Sequence, residues 1–216
     1  MRLFLDTANI DEIRDVARMG VLAGVTTNPT LMAKEAGVTY RERVIEICET
    51  VQGPVSAECT SREVAGLVEE GRFLASWHPN VVVKIPIDAN GLEATSLLSR
   101  EGVRINMTLI FSANQALLAA LAGATYISPF VGRLDDAGQD GMEVVRQSVA
   151  IFDRYHLPAQ VLAASIRNAP HVIQAALAGA HVATIPYSVF QAMLKHPLTD
   201  VGIERFLADS RKYASV

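Results

Sequence analysis

A lysine inside an apolar run is the residue of this sequence best suited to covalent chemistry. Lys84 lies in Val81–Pro86, where every other residue is apolar, and a lysine is rarely fully buried without a reason. Alternation along a strand places Lys84 on the same face as Val82 and Pro86. Burial lowers the pKa of an ammonium group, and the neutral amine can attack a ketone to form a Schiff base. The structural alternative is a lysine that snorkels from the strand end or pairs with a carboxylate.

Two carboxylic acids lie at the ends of other apolar runs. Asp6 ends the run Arg2–Asp6, and Glu58 lies late in the run Val55–Cys59. Two acids that face one cavity can have different pKa values and can take different proton-transfer roles. The alternatives without chemistry are a helix N-cap for Asp6 and a salt bridge to Lys84 for Glu58.

Amide and hydroxyl side chains end two further runs. Pro29 restricts Asn28 to an extended backbone and suits the first turn of a helix. Asn28 can therefore bind a substrate hydroxyl or cap that helix. Asn106 and Thr108 lie two residues apart on one face of an otherwise apolar strand, where they can hold a hydroxyl and a water.

Arginine and serine side chains follow the sixth and seventh runs. Ser165 ends the seventh run, and Arg133 and Arg167 lie just beyond the ends of the sixth and seventh runs. Two arginines and a serine at adjacent strand ends can converge on a phosphate, because the guanidinium group presents forked donors. The alternative is a pair of solvated arginines bound to Asp135 or Asp136.

Eight short apolar runs alternate with longer segments of helical period. The predicted strands are Arg2–Asp6, Gly24–Asn28, Val55–Cys59, Val81–Pro86, Arg104–Leu109, Tyr126–Val131, Gln160–Ser165 and Val182–Tyr187. The predicted helices are Asn9–Arg18, Tyr40–Val51, Ser61–Ser76 (capped by Thr60 or Ser61), Ser112–Leu121, Asp140–Tyr155 and Ala169–Leu177. This alternation predicts a parallel sheet, and continuous apolar strands predict that both of its faces are buried.

Eight such units can form an open doubly wound sheet or a closed barrel. The units average roughly 26 residues, close to the lower size limit of the barrel, and no GxGxxG motif follows the first strand. We therefore predict an α/β protein, a single (β/α)8 TIM barrel over residues 1–216 with a C-terminal helical segment at 197–216. Catalytic residues of such barrels lie at the carboxyl ends of the strands, where the polar residues above fall.

Composition limits the partners and the location. The 216 residues are 50% hydrophobic and 19% charged, which excludes intrinsic disorder. With a net charge of −4, the chain has no overall positive field, so we expect neither nucleic acid nor membrane as a partner. Two cysteines form no disulfide framework, and no histidine pair has HExxH spacing. Free thiols and the absence of a signal-peptide pattern predict a cytoplasmic protein.

The motifs together resemble the transaldolase family, specifically its short members, which include a fructose-6-phosphate-aldolase-like branch. The resemblance covers the whole chain. Six motifs carry it in order: Phe4–Thr7, Gly24–Thr30, Val83–Pro86, Asn106–Leu109, Ser128–Arg133 and Ala163–Arg167. Each motif falls at the end of a predicted strand.

The resemblance implies a class I aldol mechanism that needs no metal or organic cofactor. Lys84 matches the Schiff-base lysine, and Asp6 matches the acid/base for the C4 hydroxyl of the substrate. Glu58 matches the acid/base that works through a water, which Thr108 positions. The residues that match substrate-binding groups are Asn28, Asn106 and Ser128 near the dihydroxyacetone hydroxyls, Phe130 beside them, and Arg133, Ser165 and Arg167 at the phosphate.

The resemblance also implies the substrates, which are sugar phosphates. The donor is fructose 6-phosphate or sedoheptulose 7-phosphate, and the acceptor is glyceraldehyde 3-phosphate or erythrose 4-phosphate. Aldolase-like members carry glutamine at the position of Glu58 and tyrosine at that of Phe130, so we expect transfer rather than net cleavage. The alternatives are an aldolase that releases free dihydroxyacetone, a phosphosugar isomerase or epimerase in which Lys84 polarises a carbonyl, and a non-catalytic phosphosugar-binding barrel.

Short members of this family form rings of five that are often paired into decamers. Their C-terminal helix packs on a neighbour, which implies a homo-oligomer, a pentamer or a decamer. The segment Pro197–Val216 carries an apolar stripe that suits such packing. The alternative is a helix that docks on its own barrel.

Overall fold

Eight parallel strands close into a barrel in the computed structural model, which describes residues 1–213. Each strand pairs with the next in sequence, and β8 pairs with β1. The strands are β1 Arg2–Asp6, β2 Leu22–Thr26, β3 Val55–Glu58, β4 Val81–Pro86, β5 Ile105–Ile110, β6 Tyr126–Pro129, β7 Gln160–Ala163 and β8 Val182–Ile185. The predicted (β/α)8 barrel is confirmed.

Helices follow the strands and cover the outside of the barrel. They are α1 Ile10–Ala17, α2 Pro29–Met32, α3 Tyr40–Thr50, α4 Val64–Ala75, α5 Ala89–Arg100, α6 Ala113–Leu121, α7 Val131–Asp136, α8 Gly141–Tyr155, α9 Ala169–Leu177, α10 Tyr187–Leu194 and α11 Pro197–Ser210. The six predicted helices are present, α9 with the predicted bounds and the other five with shifted ends, and α2, α5, α7 and α10 are additional. No helix of residues 1–213 is long and apolar enough to cross a membrane.

The predicted start of α4 is wrong. The helix begins at Val64 after Glu63, and no side chain caps it. Instead, the carboxylate of Glu70 accepts the backbone N–H groups of Thr60 at 3.0 Å and Ser61 at 2.8 Å. Thr60 and Ser61, which suggested a cap, thus belong to the loop before α4. The side chain of Glu70, which lies within that helix, holds this loop in place.

Two apolar layers leave one end of the barrel for polar groups. The outer layer lies between the sheet and the helices and includes Ile47, Leu98 and Phe152. The inner layer consists of Phe4, Val82, Tyr126, Leu162, Ala164 and Val182. Lys84 follows Val82 by two residues on β4, so the same face of the strand turns from apolar to charged toward its carboxyl end.

The C-terminal helix stands apart from both layers. None of the residues of α11, all of which the structure describes, is buried. Leu198 is 73% and Phe206 75% exposed, so the apolar side chains of α11 do not dock on the barrel of their own chain. Residues 211–213 form a turn, and the last three residues of the predicted segment 197–216 lie outside the described part of the chain.

Candidate active site

The carboxyl ends of the strands surround a cavity of about 220 Å³. The predicted site residues that line it are Asp6, Asn28, Lys84, Asn106, Thr108, Ser128, Phe130, Arg133, Ser165 and Arg167. The remaining predicted residue, Glu58, lines an adjoining cavity that shares Lys84 with the first. The structure therefore brings all the predicted site residues to one end of the barrel, where parallel strands deliver them together.

Lys84 is held between a carboxylate and a carbonyl. Its Nζ lies 2.9 Å from Oε2 of Glu58 and donates to the backbone oxygen of Thr27 at 3.1 Å. The residue is only 5% exposed, and a buried charge is stable only when it is paired and hydrogen-bonded. The expected salt bridge to Glu58 is therefore present. Glu58 and the Thr27 carbonyl use two of the three N–H donors of the ammonium group, and the third donor remains.

Two threonines connect to Asp6. The hydroxyl of Thr26 donates to Oδ1 of Asp6 at 2.7 Å, and the same hydroxyl lies 2.7 Å from that of Thr184. Because the single proton of Thr26 is used on Asp6, Thr184 donates to Thr26 when Asp6 is ionised. Burial raises the pKa of Asp6, against the opposing effects of the Lys84 charge and the Thr26 hydrogen bond. Asn9, not Asp6, caps α1.

Asn28 serves as a helix cap and also faces the cavity. Its Oδ1 accepts the backbone N–H of Leu31 at 2.9 Å and so caps α2. The amide NH₂ group of Asn28 is not used by this cap. The two interpretations of Asn28 are therefore compatible, since the cap fixes the side chain and the NH₂ group remains for a ligand.

A line of polar side chains crosses β3, β5 and β6 inside the barrel. Ser128 donates to Oδ1 of Asn106 at 2.7 Å, and Nδ2 of Asn106 donates to Ser56 at 3.0 Å. The buried hydroxyl of Thr108 has no hydrogen-bond partner among residues 1–213. A buried hydroxyl without a partner is costly, so this oxygen is suited to a water or a ligand in the cavity.

The two arginines also line this cavity. The guanidinium of Arg133 stacks 5.0 Å from the ring centroid of Phe130, and that of Arg167 lies 2.7 Å from Asp136. The expected alternative of an Asp136 pair is thus present for Arg167, while both arginines still line the cavity. Gly132 lets the backbone of Ser165 and the side chain of Arg167 pack close to α7. A Cβ at position 132 would lie 2.2 Å from the backbone oxygen of Ser165.

Sequence reasoning missed three residues that hold the predicted acids, either directly, as Thr26 and Tyr40 do, or through Thr26, as Thr184 does. Thr26 lies within the motif Gly24–Thr30, in which Asn28 and Pro29 carried the prediction. Thr184 was the only polar residue of Val182–Ile185, a signal like that of Asn106 in its own strand. The third, Tyr40, begins α3 and reaches the backbone of Glu58. Nothing in its local sequence indicates this contact.

Residues 1–213 hold no group of three or more His, Cys, Asp or Glu side chains that could bind a metal ion. The sequence predicted no zinc site.

Comparisons with known proteins point to one family. The family model for transaldolase/fructose-6-phosphate aldolase matches residues 3–215. A probable transaldolase of Desulforudis audaxviator is 61% identical over 209 residues, which cover 97% of each chain. A probable transaldolase of Heliobacterium modesticaldum is 60% identical with the same coverage of both chains.

A solved structure supports the barrel alone. A mandelate oxidase matches with a TM-score of 0.57 at 16% identity, over 82% of this chain and 60% of that one. The similarity in sequence, in contrast, extends along nearly the whole chain and joins it to enzymes of the transaldolase type. The chain belongs to the transaldolase/fructose-6-phosphate aldolase family.

Proposed function

We propose that this protein is a class I transaldolase of the non-oxidative pentose phosphate pathway in the cytoplasm. It would transfer a dihydroxyacetone unit from fructose 6-phosphate or sedoheptulose 7-phosphate to glyceraldehyde 3-phosphate or erythrose 4-phosphate. The observation that carries the proposal is the contact of 2.9 Å between the buried amine of Lys84 and Glu58, beside a cavity that Asp6 also lines. The family supports the reaction type.

The first step is formation of the Schiff base. Glu58 takes a proton from the ammonium of Lys84, and the neutral amine attacks the C2 carbonyl of the donor. The carbinolamine forms as the amine proton moves to the carbonyl oxygen through a water. Glu58 then returns its proton to this hydroxyl, which leaves as water, and the iminium ion remains. The unpartnered hydroxyl of Thr108 is suited to hold that water.

The second step breaks the C3–C4 bond. Ionised Asp6 takes the proton of the C4 hydroxyl, and the electrons of the C3–C4 bond move to the iminium. The aldose phosphate departs, and an enamine remains on Lys84. The enamine then attacks the aldehyde of the acceptor, and Asp6 returns the proton to the new hydroxyl. Burial raises the pKa of Asp6, which makes its ionised form a stronger base than an exposed carboxylate.

The remaining side chains divide between the two ends of the substrate. Asn28, Asn106 and Ser128 line the cavity together with Lys84 and suit the dihydroxyacetone hydroxyls. Arg133, Ser165 and Arg167 suit the phosphate, which forked guanidinium donors bind well. In this arrangement the substrate phosphate competes with Asp136 for Arg167.

Two residues favour transfer over net cleavage. Phe130 packs edge-on against Phe111, with ring centroids 5.8 Å apart, and presents no hydroxyl that could protonate the enamine. Glu58 is a charged group next to Lys84, where a glutamine could not exchange protons. The second candidate function is a fructose-6-phosphate aldolase, because the family model includes both activities. Formation of free dihydroxyacetone without an acceptor aldehyde would identify it.

Reductive trapping tests the proposed function. The protein is incubated with fructose 6-phosphate and borohydride, digested and mapped by mass spectrometry. We expect a dihydroxyacetone-sized adduct on the peptide that contains Lys84, and none in the matched Lys84→Met variant. A folded protein that binds the sugar phosphate but forms no adduct on Lys84 would exclude both aldol reactions in favour of an isomerase or a binding protein.

We also propose that the protein forms a homo-oligomer, a pentamer or a decamer, through α11. The support is the exposed apolar surface of this helix, in which Val201, Phe206 and Leu207 are each more than half exposed. Contiguous exposed apolar surface often marks an interaction site. Light scattering after gel filtration measures the assembly. We expect Phe206→Glu to reduce its size, and a monomeric parent protein would contradict this proposal.

A further inference from the structure

The hydrogen-bond ladder between β2 and β3 ends close to Lys84. Its last bond runs from the N–H of Thr27 to the oxygen of Ser56 at 3.1 Å. In a regular parallel ladder the next bonds would join Glu58 N–H to Thr27 oxygen and then residue 29 N–H to Glu58 oxygen. Pro29 has no N–H group, so the second of these bonds cannot form. Strand β2 ends at Thr26 rather than at the predicted Asn28.

A tyrosine hydroxyl replaces the two missing ladder bonds of Glu58. Oη of Tyr40 accepts the backbone N–H of Glu58 at 2.6 Å, and it lies within 3.4 Å of the oxygen of Glu58 as a donor. The oxygen of Thr27, which the regular ladder would give to Glu58, instead accepts from Nζ of Lys84 at 3.1 Å. One side chain thus satisfies the strand end and releases a carbonyl for the lysine.

Two features fix the position of Tyr40. It is the first residue of α3, which begins with a capping box between Thr39 and Glu42. Its ring packs edge-on against Trp77, with centroids 5.3 Å apart. Burial raises the pKa of Tyr40, so the phenol keeps its proton and can both accept from and donate to Glu58.

We propose that Tyr40 is a positioning residue for Schiff-base formation, which it supports by holding Glu58 and by keeping the Thr27 carbonyl available to Lys84. This inference rests on the proposed function. With two donors of the ammonium fixed by Glu58 and Thr27, the direction of the third is fixed as well. After imine formation the nitrogen keeps one hydrogen, for which the same two acceptors remain in place.

Removal of the hydroxyl leaves Glu58 N–H without its partner. In Tyr40→Phe the ring that packs against Trp77 is retained, but Glu58 N–H needs another acceptor, and a regular ladder would offer it the oxygen of Thr27. We expect this rearrangement to draw the carbonyl away from Lys84 and to loosen the amine. The hydrogen bonds of Tyr40 go to Glu58, so phosphate binding by Arg133 and Arg167 should be unaffected.

The test compares Tyr40→Phe with Tyr126→Phe as a matched control. Tyr126 also lies in a buried place, the inner apolar layer, and its hydroxyl accepts from the guanidinium of Arg2 at 3.4 Å. The rate of adduct formation on Lys84 is measured by rapid mixing of saturating fructose 6-phosphate and borohydride quenching. We expect about a tenfold or larger fall for Tyr40→Phe, as a misplaced reacting group produces, and no fall for Tyr126→Phe. The dissociation constant of sorbitol 6-phosphate, which lacks a carbonyl, should be unchanged in both variants.

The outcomes separate the two proposals. A parent protein that forms no Lys84 adduct overturns the proposed function, whatever the variants do. A parent protein that forms the adduct, with Tyr40→Phe equally fast, overturns the role of Tyr40. A fall in rate with a matching loss of sorbitol 6-phosphate affinity also overturns it, because a general distortion of the barrel would then account for the change.

A measurement on the parent protein covers the case in which Tyr40→Phe does not fold. Hydrogen–deuterium exchange is followed in overlapping peptides that end on either side of Glu58. The short bond to Tyr40 predicts slow exchange of the Glu58 amide, comparable to amides inside the barrel strands. Fast exchange at this amide would contradict the contact on which the proposal rests.

Discussion

Two regions of the candidate site hold their charged groups by different means. In the region around Lys84, called the reaction end after the proposed function, the side chains of Lys84 and Glu58 are 7% and 14% exposed and lie 2.9 Å apart. In the region around Arg167, called the phosphate end, the side chains of Arg167 and Asp136 are 51% and 63% exposed and lie 2.7 Å apart. Similar distances therefore join one pair that is shielded from water and one pair that is surrounded by it.

This difference separates fixed geometry from exchangeable binding. Loss of one partner from a buried ion pair costs about 3–5 kcal/mol, because the other charge stays buried. An exposed ion pair contributes only about 0–1 kcal/mol, so under the proposed function a substrate phosphate would displace Asp136 from Arg167 with little loss. In that proposal the reaction end is organised before substrate arrives, and the phosphate end is held by a contact that substrate would replace.

Replacement of the lysine breaks the reaction end most severely. We expect Lys84→Met to reduce turnover below detection, because no other amine lines the cavity among residues 1–213 and the imine cannot form. Methionine fills a similar volume, so the barrel should still fold, although the unpaired Glu58 should lower its thermal stability. A coupled transaldolase assay and circular dichroism measure the two properties. Full activity in this variant would contradict the Schiff-base mechanism.

Replacement of Asp6 should separate the two chemical steps. We expect Asp6→Asn to lower kcat by about 10²- to 10⁴-fold, the usual contribution of a general acid/base, while fructose 6-phosphate still forms an adduct on Lys84. Borohydride trapping and steady-state assays on the same preparation test this separation. Loss of adduct formation together with turnover would place Asp6 in the imine step instead.

The raised pKa of Asp6 also predicts how the Asp6→Asn variant responds to pH. Because the folded-state pKa lies above 3.8, ionised Asp6 lowers the stability of the parent protein at neutral pH. This penalty declines as pH falls through the folded-state pKa and vanishes below 3.8. Asp6→Asn should therefore unfold at a higher temperature than the parent at pH 7, with the two midpoints converging on acidification. Equal midpoints at pH 7 would argue against the burial effect.

Removal of a guanidinium tests the phosphate end. We expect Arg167→Gln to raise the KM for fructose 6-phosphate about tenfold or more, since hydrogen bonds between charged groups contribute about 1.5–3 kcal/mol. Adduct formation from unphosphorylated dihydroxyacetone should be unchanged. Equal losses with both compounds would show that Arg167 acts on the reaction end rather than on phosphate.

A double substitution sharpens the distinction between transfer and cleavage. Glu58→Gln with Phe130→Tyr introduces the residues of aldolase-like members beside Lys84. We expect the ratio of dihydroxyacetone release to transfer to rise several-fold, because the enamine gains a hydroxyl neighbour. Product analysis with and without glyceraldehyde 3-phosphate measures this ratio. An unchanged ratio would remove the argument from these two positions.

The smallest effect is expected at the exposed acid. Asp136→Asn removes a competitor of the substrate phosphate for Arg167. Because such an exposed pair contributes at most about 1 kcal/mol, the KM for fructose 6-phosphate should fall by less than about fivefold. A large change in KM, comparable to that of Arg167→Gln, would mean that Asp136 is part of the fixed geometry after all.

Local patterns predicted the eight strands, although not all of their exact ends, because a strand pattern depends on neighbouring residues. Lys84, Asn106 and Ser128 are polar residues in apolar strands, and a parallel barrel delivers all such strand ends to one place. The predicted cap of α4 failed because Thr60 and Ser61 bind Glu70, ten and nine residues away. A short-range pattern does not include that partner.

The barrel, the family and most of the polar side chains at the carboxyl end of the barrel could be predicted from the sequence, since each follows from alternation along the chain and from motifs of a few residues. How those side chains are held could be read only from the folded chain. Thr184 reaches Thr26 from the strand on the far side of β1, and Tyr40 reaches Glu58 from the start of α3. These contacts join residues that are distant in sequence, and closure of the barrel is what brings them within hydrogen-bond range.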